Sequence, residues 1–268
     1  MDLLSIETLS ALFAVGLVAG FVDAIAGGGG LLTLPALLWA GLTPAQALAT
    51  NKLQSSFGSF SAAVKFTRGG EVKPRDMAVM IGCTFAGSAA GAVIVQMIDP
   101  GFLRNVIPVL LIGIAIWLLV SPKAGEIDAQ QRIGERGFAL LAGTGIGFYD
   151  GFFGPGTGTF FAIAFVSLLG FNLRKATAHT KVLNFTSNIA ALLFFLAGGQ
   201  IAWVAGLLMG VGQMIGAQIG AHMVIRNGAA IVRPMLVVAS IAITAKLIWT
   251  DAQGVIGAGM AMVAGWLG

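Results

Sequence analysis

The sequence predicts an all-α fold: a polytopic transmembrane helical bundle of two homologous repeats, interrupted by broken or half-helices. Three observations predict it. Charged residues make up 10% of the 268-residue chain, against about 25% in a typical soluble domain, so too few charges exist to coat a water-facing surface. Hydrophobic residues make up 57% and mean hydropathy is +0.92, with the apolar residues gathered into successive stretches. The landmarks of the first half then return, in order, in the second.

Segment A, roughly Ile6 to Ala26, reaches the ~20 apolar residues a spanning helix needs. Asp2 and Glu7 precede or open it, where a secretory signal would carry a basic region, so A is read as a retained helix. Segment B, Leu31 to Ala40, is too short to span alone. Its roughly 15–18 Å of helix faces a hydrocarbon core of about 30 Å. A half-helix of this kind is tolerated where a water-lined cavity supplies the missing length. Segment C, Pro44 to Phe66, is unusually polar, whereas segment D, Met77 to Ile98, carries no charge. Segment E, Phe102 to Val120, has one early arginine and is followed by a charged joint, Ser121 to Arg136. The expected organisation is a first repeat over 1–122, a charged cytoplasmic linker over 123–136, a second repeat over 137–251 and an extra apolar segment over 252–268.

The repeat is visible in the letters. Gly20-Phe21-Val22-Asp23 matches Gly147-Phe148-Tyr149-Asp150, and Ala49-Thr50-Asn51-Lys52 matches Ala178-His179-Thr180-Lys181. Gly87 and Gly91 correspond to Gly216 and Gly220. A match of this length indicates internal duplication. Charge then favours an inverted second copy. With five passes per repeat, Lys65, Arg68, Lys73, Arg75, Lys123, Arg132, Arg136, Arg174, Lys175, Arg226 and Arg233 fall on one side, and only Arg104 and Lys246 on the other. Basic residues collect in cytoplasmic loops, and a parallel second copy would scatter them. Inverted repeats recur in secondary transporters, with the site at their interface near mid-membrane.

The chemistry concentrates at the joint between A and B and in segment C. Gly27-Gly28-Gly29-Gly30 and its partner Gly154-Pro155-Gly156-Thr157 break the helix just before another begins. Exposed N–H groups at a helix N-terminus form an anion site, although small residues also serve plain helix packing. The lysine and hydroxyl of a nucleotide-binding loop are absent here. Lys52 and Lys181 lie at equivalent places in the two C segments, with Thr50, Asn51 and Gln54, and with His179, Thr180, Asn184 and Asn188, around them. A buried lysine at each place would present cationic groups to a compact anion; the competing reading is that each snorkels to an interface. Asp23 and Asp150 sit beside the breaks. They could pair with Lys52 or Lys181, cap the following helix, or relay protons. Glycines Gly87, Gly91, Gly212, Gly216 and Gly220 are read as helix contacts, and Trp39, Trp117, Trp203 and Trp249 as interfacial anchors.

The run from Gly20 to Gly30, then Leu34-Pro35-Ala36-Leu37, then Ala47 to Gln54, resembles the TauE/SafE family of sulfite exporters. Gly154 to Gly158, with Ala178 to Lys181 and Asn184, is similar to that family's second half. The resemblance extends to about Trp249. It implies a multi-pass permease of the bacterial inner membrane that moves sulfite, sulfoacetate, other organosulfonates or related sulfur-containing anions, usually outward. An anion channel, or a carrier of an unrelated small anion, is the alternative. The lipid bilayer and a small anionic solute are the expected partners, self-association is left open, and no nucleic acid is expected despite the net charge of +4. One cysteine and two histidines supply neither a disulfide nor a histidine-rich metal site. No metal, cofactor or enzymatic activity is expected.

Overall fold

The computed structural model describes residues 4–99, 101–103, 106–107, 110 and 130–227. Most of segment E, most of the charged joint, Arg104, Arg233, Lys246, Trp117, Trp249 and the 252–268 segment lie outside the described residues.

Among the described residues every regular element is helical. Helix α1 (Ile6–Ala26) starts at Ser5, whose hydroxyl accepts from the Thr8 N–H, and stops at Gly27. Gly27 has φ +79°, a left-handed conformation that costs glycine little. Helix α2 (Gly30–Trp39) has 10 residues, as short as its sequence requires. Helix α3 (Pro44–Arg68) opens on a reciprocal capping box between Thr43 and Gln46, with proline at its first position. After a single 3₁₀ turn, α4 (Ala78–Gln96) follows.

The second group begins with α5, which comprises a turn at Glu135–Phe138, a π-helical stretch at Ala139–Gly143 and an α-helix at Thr144–Phe152. Helix α6 (Thr157–Leu169) is again short, at 13 residues. Helix α7 (Leu173–Gly198) starts at Asn172, which accepts from the Lys175 N–H, and α8 (Trp203–Asn227) closes the described chain. The segments spanning Ile6–Ala26, Pro74–Gln96, Leu173–Gly198 and Trp203–Asn227 are long and apolar enough to cross a membrane. Large apolar side chains such as Val18, Phe60, Val79, Leu207 and Ile219 remain exposed, as expected where the surrounding solvent is lipid.

Two seams tie the groups together. Gly212, Gly216 and Gly220 of α8 sit against the backbone of Phe13, Leu17 and Phe21 of α1. Gly87 and Gly91 of α4 sit against Thr144 and Phe148 of α5. The glycines expected to serve helix contacts do so, because without Cβ atoms the backbones meet directly. The rising order along both partners means that each seam joins parallel helices. Ser88 of α4 donates to the Ser187 carbonyl at 2.6 Å and Gly198 lies by Gln96, so α7 runs parallel to α4. The Ala202 N–H donates to Thr50 Oγ1 at 3.0 Å, while Gly69 meets Ile225, so α3 runs parallel to α8. Phe60 meets Phe185 while Glu71, after α3, meets Arg174, at the start of α7, so α3 and α7 are antiparallel; helices α1, α3 and α8 run one way and α4, α5 and α7 the other.

One end of the bundle is basic. Arg174, just inside α7, forms a bidentate pair with Glu71 after α3. The Arg132 N–H, at the approach to α5, donates to the Leu168 carbonyl at 2.9 Å. Thus the exit of α3, the entry of α5 and the α6–α7 turn share a face, bringing Arg68, Lys73, Arg75, Arg132, Arg174 and Lys175 to the same end.

Candidate functional site

The two helix breaks meet. A Cβ placed on Gly158 would lie 2.5 Å from the Gly27 Cα, so the first turn of α6 touches the end of α1 through bare backbone. Thr159 Oγ1 donates to the Ala26 carbonyl at 2.7 Å across the same contact. Beside it lies a polar cavity lined by Asp23, Gly27, Gly30, Asn51, Ser55, Asp150, Gly154, Gly158, Asn184 and Asn188. Its free volume is about 20 Å³, space for about one water.

Both segment C lysines are buried, each 1% exposed, so neither snorkels to an interface. Each crosses to the other group. Lys52 Nζ of α3 donates to the Asp150 Oδ1 at 2.9 Å and to the Asp150 backbone carbonyl. Lys181 Nζ of α7 donates to the Asp23 Oδ2 at 3.1 Å and to the Asp23 carbonyl. The local physics explains the choice of partner. A helix that stops inside the protein leaves carbonyls at its negative end, and an ammonium satisfies a carbonyl and a carboxylate there at once. Burying these charges singly would cost several kcal/mol each, so pairing is what makes the arrangement tolerable.

The aspartates are held differently. Asp23 Oδ1 accepts from the Gly29 N–H, just ahead of α2, at 3.4 Å, and Oδ2 accepts from Lys181 and, at 3.5 Å, from Asn184 Nδ2. Asp150 Oδ1 accepts from Lys52 and from Thr157 Oγ1, both at 2.9 Å. Asp150 Oδ2 is buried and has no hydrogen-bond partner. Asp23 thus accepts from a lysine of the other group and from a backbone N–H just ahead of α2 at once.

The remaining candidates divide. Asn51 Oδ1 accepts from Thr33 Oγ1 at 2.6 Å and from Gln54 Nε2 at 2.7 Å, which fixes the polar face of α3. Asn188 Nδ2 donates to the Asn184 carbonyl and Oδ1 at 2.7 and 3.2 Å, fixing the equivalent face of α7. Gly28 accepts from the Leu31 N–H at 3.1 Å within the first break. Pro155 accepts from the Tyr149 hydroxyl at 2.5 Å within the second, and Gly156, at φ +84°, turns the chain into α6.

Thr180 is buried with no partner for its hydroxyl and does not line the cavity. Thr50 faces away and binds the Ala202 N–H. His179 also stands apart, edge-on to Phe165 and Phe171 with Nδ1 against the Lys175 carbonyl at 2.8 Å.

Gly27 and Gly154, from the two breaks, line the cavity, as do Ser55 and Gly158, which were not among the sequence candidates. The repeat offset could have found Ser55: 181 − 52 = 129, 184 − 55 = 129, so Ser55 is the counterpart of Asn184.

Long apolar helices around interrupted ones, with a buried polar centre where the interruptions meet, define a multi-pass membrane transport protein. The chain belongs to the sulfite exporter TauE/SafE family, whose profile matches residues 12–247. It is similar to the probable membrane transporter protein YfcA of Escherichia coli strain K12, with 51% identity over 92% of this chain and 91% of the relative. A probable membrane transporter protein of Haemophilus influenzae is 49% identical over 93% of this chain and 97% of its own length. The probable membrane transporter protein ORF9 of a Sinorhizobium species is 45% identical over 92% and 95%. No solved structure gives a significant match.

Proposed function

We propose that this transporter is a secondary carrier that exports small sulfur-containing anions, such as sulfite, sulfoacetate or other organosulfonates, across the bacterial inner membrane. Its two halves are inverted repeats, and Lys52 and Lys181 supply one cationic contact from each. The observation that carries this reading is the crossed pair of buried ion pairs. Each places an ammonium at a helix break beside the polar cavity.

The opposed directions of α1 and α5, and of α4 and α8, support inversion, as does the clustering of basic residues at one end. Asn51, Asn184 and Asn188 offer amide groups to the solute, and the breaks at Gly27–Gly30 and Gly154–Thr157 offer backbone donors. The cavity admits water but is smaller than a sulfur oxyanion. Loading therefore requires the halves to part, which favours a carrier over an open channel. Thr50 and His179 take structural roles in this scheme, because neither reaches the cavity.

The test is flux of labelled sulfite and sulfoacetate into proteoliposomes, for wild type and for Lys52→Ala and Lys181→Ala. The expected result is saturable uptake that both substitutions abolish. Uptake that persists in both would remove the lysines from the site, and preference for a cationic or neutral solute would overturn the substrate class.

A further inference from the structure

We infer that Asp150 takes up a proton when the solute binds, so that anion and proton cross together. This rests on the anion-carrier reading above and adds the coupling ion to it.

The argument begins with charge. The buried centre holds Lys52, Lys181, Asp23 and Asp150, two positive and two negative groups whose charges cancel. A monoanion entering this centre alone leaves one uncompensated negative charge among buried groups, the arrangement that desolvation penalises most. One accompanying positive charge restores balance. A proton is the cation for which the protein offers a place.

That place is Asp150 Oδ2. The side chain is 2% exposed, lines the cavity, and has an oxygen without a hydrogen-bond partner. Both oxygens of Asp23, by contrast, already accept from donors. The groups facing Asp150 are Lys52 from α3, Thr157 from α6 and, on its own helix, Tyr149, whose hydroxyl is committed to Pro155. Asp23 stands on the cavity wall with it. The free oxygen is thus buried with no donor against it, on a residue that lines the cavity.

The step balances simply. A proton adds to Oδ2, the carboxylate becomes a neutral carboxylic acid, and Lys52 loses its charged partner. The anion then takes the place of that partner beside the ammonium. On release the anion departs, the proton leaves Oδ2, and the Lys52–Asp150 pair re-forms. No bond within the solute is made or broken.

The experiment reads the proton-to-anion ratio in proteoliposomes holding the full chain. Internal pH is followed by a trapped dye, and labelled methanesulfonate and sulfoacetate serve as probes. Methanesulfonate is expected to move with one proton, and Asp150→Asn to bring that ratio to near zero while Asp23→Asn leaves a measurable ratio. As an independent readout, infrared difference spectra of the reconstituted protein should gain a carboxylic C=O band when methanesulfonate is added, absent in Asp150→Asn. Anion movement with no proton, or with sodium in its place, overturns the inference and leaves the carrier reading standing. An unchanged ratio in Asp150→Asn overturns the assignment to this residue. If neither sulfonate moves, the reading beneath the inference fails and the inference fails with it.

Discussion

The break after α1 and the break after α5 carry the same three parts: an aspartate, a glycine-rich turn and a lysine arriving from the opposite group. They differ in how the aspartate is held. Asp23 has a donor at each oxygen, including the Gly29 N–H at the start of α2. Asp150 has Lys52 and Thr157 on one oxygen and none on the other. The doubled donors on Asp150 Oδ1 trace to one sequence change. Where the first break reads Gly30, the second reads Thr157, and the threonine hydroxyl supplies a side-chain donor that the glycine lacks. Two matching breaks thus hold one carboxylate by both oxygens and the other by one. Similar sequence can set up a site while small departures divide its labour.

Removing the lysines breaks this comparison most severely. Lys52→Ala leaves Asp150 buried with Thr157 alone, and a buried charge stripped of its partner costs about 3–5 kcal/mol. Lys181→Ala should cost less, because Asp23 keeps Gly29 and Asn184. Thermal unfolding of the two variants in one detergent checks the order; equal losses would mean that the two aspartates are equally supported.

The seams come next. A Cβ on Gly147 would lie 2.6 Å from the Thr84 carbonyl oxygen, and one on Gly212 would lie 2.5 Å from that of Phe13. Alanine at either site should cost about 1–3 kcal/mol through overpacking. Gly82→Ala, where a Cβ meets open space, should be close to neutral. The same unfolding assay separates them.

The capping groups sharpen the comparison further. Thr157→Val removes a hydrogen bond to a charged oxygen, worth about 1.5–3 kcal/mol. Asn184→Ala removes a contact at 3.5 Å and should cost less than about 1 kcal/mol from that contact. The smallest effect is expected at His179→Phe, which keeps the ring packing on Phe165 and Phe171 and leaves the cavity wall untouched. Sulfonate flux should stay within about twofold of wild type, less than 1 kcal/mol in rate.

Much of this is legible in the amino-acid sequence. Segment A was bounded at Ile6 and Ala26 by its apolar run and the glycines after it, and those are the ends of α1. Segment B was too short to span, and α2 is short. The aspartates and lysines stood out because charges are rare in such a chain and these recurred at matching places. Their crossed partnership was not readable, since it depends on how α3 and α7 lie against the opposite breaks. Thr50 and His179 misled because closeness in sequence to Lys52 and Lys181 is not closeness on a helix face: residues two apart point in very different directions. The π-helical stretch at Ala139–Gly143 had no sequence signal of its own. The tight glycine contact between Gly27 and Gly158 could be anticipated as close packing, but not as the meeting of the two breaks.

The most direct test of the central claim is sulfoacetate flux through Lys52→Gln/Asp150→Asn, a variant that removes both charges of one pair together. The account predicts that it folds better than Lys52→Gln alone, because no unpaired carboxylate remains, yet carries no sulfoacetate, because the ammonium that meets the anion has gone. Wild-type flux through that double variant would contradict it.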